Sequence, residues 1–196
     1  IIRKKIMTKI SHEHKEQIET GTRNLLQAIG DNPNRDGLLE TPERVFKAYS
    51  EIFAATGEKH FDNYKLFPTD QETDMVIVAD IPFYAMCEHH LLPFFGTVSV
   101  GYVPDGEIIG LSKIPRLVDW AARRPSVQEN LTALICSEMQ RITHPKGVAV
   151  YINSRHMCME MRGINRPGTY TTTSLYKGLL KTDPLLRQEF MMKVRD

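Results

Sequence analysis

The chain has 196 residues, 41% hydrophobic and 25% charged, enough to bury a full core, which excludes a disordered tail or a small disulfide scaffold. Twenty-five Lys and Arg against 24 Asp and Glu give a formal net charge of +1, so no global basic field exists to gather nucleic acid and any anion site must be built locally. No apolar run approaches the roughly 20 residues that cross a bilayer, and three cysteines without a secretory leader point to free thiols or metal ligands in a cytoplasmic protein.

The amino end, "IIRKKIMTKISHEHKE", is basic but lacks the apolar run and cleavage site of a signal peptide. With Ile1 first and Met7 following, Met7 is expected to be the natural start and residues 1–6 an addition. From Ser11 to Ile29 the apolar positions Ile18, Leu25, Leu26 and Ile29 recur at helical spacing and stop at Gly30, which predicts one amphipathic helix. A turn-rich loop follows. Thr41-Pro42 then predicts a second helix to about Ala55, with the Thr41 hydroxyl as N-cap and proline in the first turn.

From Asp74 the period changes. "MVIVADIPF" and "TVSVGYVP" are β-branched and partly alternating, as strands are, and "SKIPRLVDWAARR" and "SVQENLTALICSEMQRI" return to helical spacing with a joint at Pro125. In the second of these, Val127, Leu131, Leu134, Ile135 and Ile142 share one side. "GVAVYINS", "HMCMEM" and "TYTTTSLY" read as three further strands, and "TDPLLRQEFMMKVRD" as a closing helix. The predicted class is α+β, with antiparallel neighbouring strands and helices on one face. The expected division is a helical extension over 1–72 and a catalytic domain over 73–196, with no internal repeat.

Four positions concentrate the chemistry: Cys87, Glu88, His89 and His90 in "MCEHHLLPF". A C-x-x-H spacing puts a thiol and an imidazole on one side of a tight turn, and both are zinc ligands. "SRHMCMEMRG" offers a completion, since on a strand His156 and Cys158 would face the same way. Cys87, His90 and Cys158 would make three ligands and leave a fourth position open, as catalytic zinc requires, with His89 and His156 free for proton transfer. A Cys87–Cys158 disulfide and a closed four-ligand site using His156 are the alternatives.

Arg44, Lys113, Arg116 and Arg162 form a second set, which is solvated surface charge or a dispersed anion clamp. Lys113 and Arg116 lie three apart at a predicted helix start after "GLS", where Ser112 as N-cap and free backbone amides would suit an anion. Gln128 and Glu129 in "RPSVQENLT" are either a polar first turn or acceptors for a guanine edge. Cys136, among Leu134, Ile135 and Met139, is expected in the core.

"NPNRDGLLETPERV", "CEHHLLPF", "GLSKIPRLV", "RPSVQENLT", "HMCMEMRG" and "TTTS", in this order and spacing, resemble the GTP cyclohydrolase I family from about residue 12 to the end. The resemblance implies the tunnelling fold, an antiparallel four-stranded sheet with two helices on one face, here preceded by a helical extension. It also implies a homodecamer of two stacked five-membered rings with sites between subunits. Cys87, His90 and Cys158 match the zinc ligands, and zinc would activate the water that attacks carbon 8 of guanine. His156 matches the acid that protonates nitrogen 7, and His89 the histidine near the ribose ring oxygen.

Gln128 and Glu129 match the guanine-binding pair, Ser112 a residue of the same pocket, and Arg44, Lys113, Arg116 and Arg162 the triphosphate clamp. The implied reaction opens the imidazole ring of GTP, releases formate, and closes 7,8-dihydroneopterin triphosphate after an Amadori rearrangement, with no redox cofactor. Leu179 stands where many relatives would carry phenylalanine. The short amino end implies no regulatory partner protein. The rivals are another tunnelling-fold enzyme, such as a nitrile reductase of the queuosine pathway, and a zinc-stabilised binding module.

Overall fold

The computed structural model describes residues 12–70 and 74–194, so Ser11 and the expectation about Met7 lie outside the described residues. The chain divides between Thr56 and Gly57 into two units, earlier than the predicted boundary at 72/73. Residues just after Thr56 join the second unit because Phe61 is buried there and its amide donates to Glu138 Oε2 at 2.8 Å.

The first unit is a helical pair. α1 (His12–Ala28) ends where the sequence predicts: Gly30, at φ +90, lets its own amide reach the Gln27 carbonyl and the Asp31 amide reach Leu26, which satisfies two orphan carbonyls. α2 (Thr41–Ile52) starts at Thr41, but not by hydroxyl capping. Glu40 precedes it in helical conformation and the Thr41 amide donates to Leu38, so the loop winds directly into the helix with Pro42 in its first turn.

The second unit contains, in chain order, β1 (Leu66–Pro68), β2 (Val76–Cys87), β3 (Pro93–Val103), β4 (Glu107–Ile109), α3 (Lys113–Ala122), β5 (Pro125–Ser126) and α4 (Gln128–Thr143). It continues with β6 (Gly147–His156), α5 (Met157–Glu160), β7 (Thr171–Gly178), α6 (Leu179–Thr182) and α7 (Pro184–Lys193). The main sheet runs β5-β2-β3-β6-β7; β2, β3, β6 and β7 pair antiparallel, and β5 adds two residues in parallel beside Met86 and Cys87. β1 and β4 form a separate small ladder.

Strand alternation assigns two faces. Val98, Val100, Val150 and Ile152 are fully buried on the face against which α4 packs, each contributing about 1.5–3 kcal/mol of burial. α3 lies along β2. These are the two helices expected on one face of a four-stranded antiparallel sheet. The other face receives α7 at one end, where Phe190 joins Val103, Ala149, Leu180 and Val194. α7 lies within the closing helix expected over "TDPLLRQEFMMKVRD", and its start is capped by the Asp183 carboxylate, which accepts the amides of Leu185 and Leu186.

One predicted strand is absent. "HMCMEM" begins at the last residue of β6 and then winds into the helical turn α5, closed by the Met161 amide on the Met157 carbonyl. The apparent period-two pattern of His156 and Cys158 is therefore not a shared strand face. Methionine and glutamate favour helix, and with no further strand partner the turn wins.

Candidate functional site

The first half of the site is a hairpin loop. β2 and β3 pair up to Met86 and Pro93, and the Cys87 amide donates to the Leu92 carbonyl while its own carbonyl accepts the Leu91 amide. Glu88 through Leu92 are thereby folded into a tight connection, with Leu91 forced to φ +50. β5 supports the base of the loop, since the Glu88 amide donates to Ser126. Cys87 is buried while His89 and His90 are exposed at the tip, their rings 6.2 Å apart and nearly perpendicular.

The second half arrives with α5. Donor atoms of Cys87, His90 and Cys158 all lie within 4.8 Å of one another. All three cysteines are free thiols, so the disulfide alternative falls away. Two sulfurs and an imidazole nitrogen converging from segments some 70 residues apart are a donor set that fits zinc, one ligand short of the four that a tetrahedral ion takes. Among the described residues the cluster has three members, and His156 is not one of them.

His156 is held differently. Its ring stacks on Phe94 with centroids 4.8 Å apart and planes 4° from parallel, and its Nε2 lies 2.8 Å from Gln128 Oε1. The Gln128 amide nitrogen faces the carbonyls of Ile152 and Thr171, which can only accept, so the oxygen must be the atom facing His156. His156 Nε2 therefore carries the donated hydrogen, shared with Ser154 Oγ at 3.2 Å, and Nδ1 is the nitrogen left for chemistry. Burial holds the His156 pKa below the ordinary value, partly offset by the Glu129 carboxylate.

Gln128 is 1% exposed, and its oxygen also accepts Ser154 Oγ while its nitrogen additionally reaches Thr173 Oγ1. Every donor and acceptor of the Gln128 amide is thus engaged inside the chain, its oxygen with Ser154 and His156. Glu129, its neighbour, is exposed. Cys136 is fully buried, and burial pushes its thiol up to about 11, as a core residue requires.

The basic set is dispersed. Arg162 is exposed and near enough to Cys158 to act on it electrostatically, opposing the upward push on the thiol from burial and from Cys87. Lys113 and Arg116 stand at the start of α3, with Lys113 Nζ donating to Asn63 Oδ1 at 2.9 Å. Arg44 belongs to the other unit and pairs with Glu40 on the surface. Ser112 does not cap α3: it is helical itself, and the Lys113 and Ile114 amides donate to Gly110 and Leu111. A preceding turn thus consumes two of the amides that the sequence offered to an anion.

Four further residues around the site were not singled out from the sequence. Ser154 shares a strand face with His156, a period-two signal that was available. Phe94 and the pair Arg155 and Glu160 carried no local signal, because their partners are brought by strand register and by the turn after β6.

A family model described as GTP cyclohydrolase I matches residues 18–195. The chain is 54% identical over 186 residues to the GTP cyclohydrolase 1 of Lactiplantibacillus plantarum, covering 94% of this chain and 98% of that protein. It is 54% identical over 183 residues to the protein of the same name from Latilactobacillus sakei, covering 92% and 97%. For the one from Enterococcus faecalis the identity is 46% over 187 residues, covering 95% and 100%. No helix among the described residues is long and apolar enough to cross a membrane.

Proposed function

Because the chain belongs to the GTP cyclohydrolase I family, we propose that it opens the guanine imidazole ring of GTP, releases formate and forms 7,8-dihydroneopterin triphosphate, the first step toward tetrahydrofolate and other pterins. The observation that carries this reading is the convergence of Cys87, His90 and Cys158 within 4.8 Å beside a histidine held in a defined tautomer.

Cys87, His90 and Cys158 would hold zinc, whose chemistry is to lower the pKa of water toward neutrality and so supply a nucleophile for carbon 8. The chain's own residues do the rest. His156, with its Nε2–H committed to Gln128, would take up a proton at Nδ1 to become imidazolium and deliver that proton to nitrogen 7, returning to the neutral Nε2–H form. The stack on Phe94 restricts the ring to one plane while it does so. His89, exposed at the hairpin tip, would assist opening of the ribose ring.

The exposed Glu129 carboxylate would accept the N–H groups of the guanine edge, and Gln128 contributes by orienting His156 rather than through a free amide. Ser112 would line the same pocket. Arg44, Lys113, Arg116 and Arg162 would neutralise the triphosphate, which a chain of net charge +1 must do with local cations. The working form would be a cytoplasmic homodecamer with sites between subunits, needing no nucleic acid, membrane or regulatory partner protein.

The test is an assay of purified protein with GTP that follows formate release and the fluorescence of the oxidised pterin. Both products are expected, lost with a zinc chelator and restored by added zinc. Bound zinc with GTP left intact would overturn the catalytic reading in favour of a binding module. Nicotinamide-dependent reduction of a nitrile by metal-free protein would instead favour the reductase.

A further inference from the structure

α5 has four residues, too few for a helix to sustain itself, yet it carries Cys158. An ion pair ties it to the sheet. Glu160, the last residue of α5, is 7% exposed and receives two bonds from one guanidinium: Arg155 Nε to Oε1 at 2.8 Å and Nη2 to Oε2. The Arg166 amide donates to the Met159 carbonyl, so the segment after α5 folds back onto it.

Arg155 is in turn anchored on the sheet. Tyr84, Phe95 and Arg155 are successive cross-strand partners on β2, β3 and β6. Tyr84 stacks on Phe95 with centroids 5.6 Å apart, and the Arg155 guanidinium lies 5.8 Å from the Phe95 centroid. A row across three strands thus ends in a carboxylate placed two residues after Cys158 and two before Arg162. A bidentate pair fixes direction as well as distance, and a buried carboxylate without its partner would be costly.

We propose that Arg155 and Glu160 form a positioning latch for the metal centre, locking α5 to the sheet so that Cys158 Sγ is aimed at Cys87 and His90 before metal arrives. The inference rests on the zinc reading above and deepens it, assigning to two residues that touch neither metal nor GTP the preorganisation of the one ligand that lies outside the hairpin.

The variants are Glu160→Gln, Arg155→Met, Arg155→Lys and the double variant Glu160→Gln/Arg155→Met, each as the full chain. Zinc affinity is measured by competition with a chromogenic chelator, tetrahedral geometry by the visible spectrum of the cobalt-loaded protein, and folding by the thermal midpoint of the metal-free protein. Glu160→Gln and Arg155→Met are each expected to bind zinc about 10-fold more weakly with a perturbed cobalt spectrum. The double variant should lose no more than either single one, because one latch is broken only once. Arg155→Lys, which keeps the charge but not the fork, should fall between and serves where Glu160→Gln does not fold.

A merely structural pair would lower the metal-free midpoint and leave the zinc affinity and cobalt spectrum of the folded variants unchanged, which would overturn the latch. Losses that add in the double variant would overturn it as a single unit. Failure of the unaltered chain to take up either metal would instead remove the metal-centre reading, and the latch with it.

Discussion

At the scale of the residue, neighbours in sequence do unlike work because backbone geometry sends them to unlike places. His89 and His90 are adjacent, yet only His90 joins the donor cluster, and Gln128 is buried where Glu129 is exposed. Cys158→Ala is expected to abolish both zinc content and turnover. His156→Ala should keep its zinc and lose turnover by roughly 10²–10⁴-fold. Metal analysis beside a formate assay separates the two, and a zinc-free His156→Ala protein would contradict the division of roles. Cys136, fully buried with its thiol pushed up to about 11, should stay unalkylated by iodoacetamide in the folded protein and react only on unfolding, as mass spectrometry of the labelled chain would report.

Elements are held where their side chains find partners that local sequence does not name. α7 lies against β3 because Gly101 has no side chain: a Cβ there would stand 2.7 Å from Phe190 Cδ2. Gly101→Ala should therefore cost about 1–3 kcal/mol in denaturant unfolding, through overpacking rather than lost contact. α4 is tied to the segment before β1 through Glu138, which accepts the Phe61 amide, Arg141 and His60. Burial alone would raise the Glu138 pKa, but bonds from Arg141, the Phe61 amide and His60 outweigh it and hold it below the ordinary carboxylate value. A carboxylate whose folded pKa is depressed contributes stability above its unfolded pKa and loses it as pH falls through the folded one. Glu138→Gln should thus cost about 2 kcal/mol at neutral pH, and the gap from the unaltered protein should close as the solution is acidified below the ordinary carboxylate range. A gap that is constant with pH would assign the effect to packing.

For the whole molecule, the sheet is unfinished. Among the described residues β7 has one neighbour, and the outer edge of β2 is paired only at Met86 and Cys87, so two edges are open to other copies. Sedimentation is expected to give ten times the 22.5 kDa chain mass; a fully active monomer would remove the proposal that sites form between subunits. What the sequence determined by itself is what short-range chemistry encodes. Gly30 and Thr41-Pro42 mark helix ends, alternating β-branched residues mark strands, and C-x-x-H spacing places Cys87 and His90 on one tight turn. Ordered motifs likewise carried the family resemblance before any fold was in view. Only the tertiary structure decided that "HMCMEM" is a helical turn, that the second unit begins at Gly57, that Gln128 spends its amide on His156, and that Arg155 closes on Glu160. Each of these depends on a partner supplied by strand register or by a distant segment, and periodicity reports which face a residue occupies but not what will be laid against it.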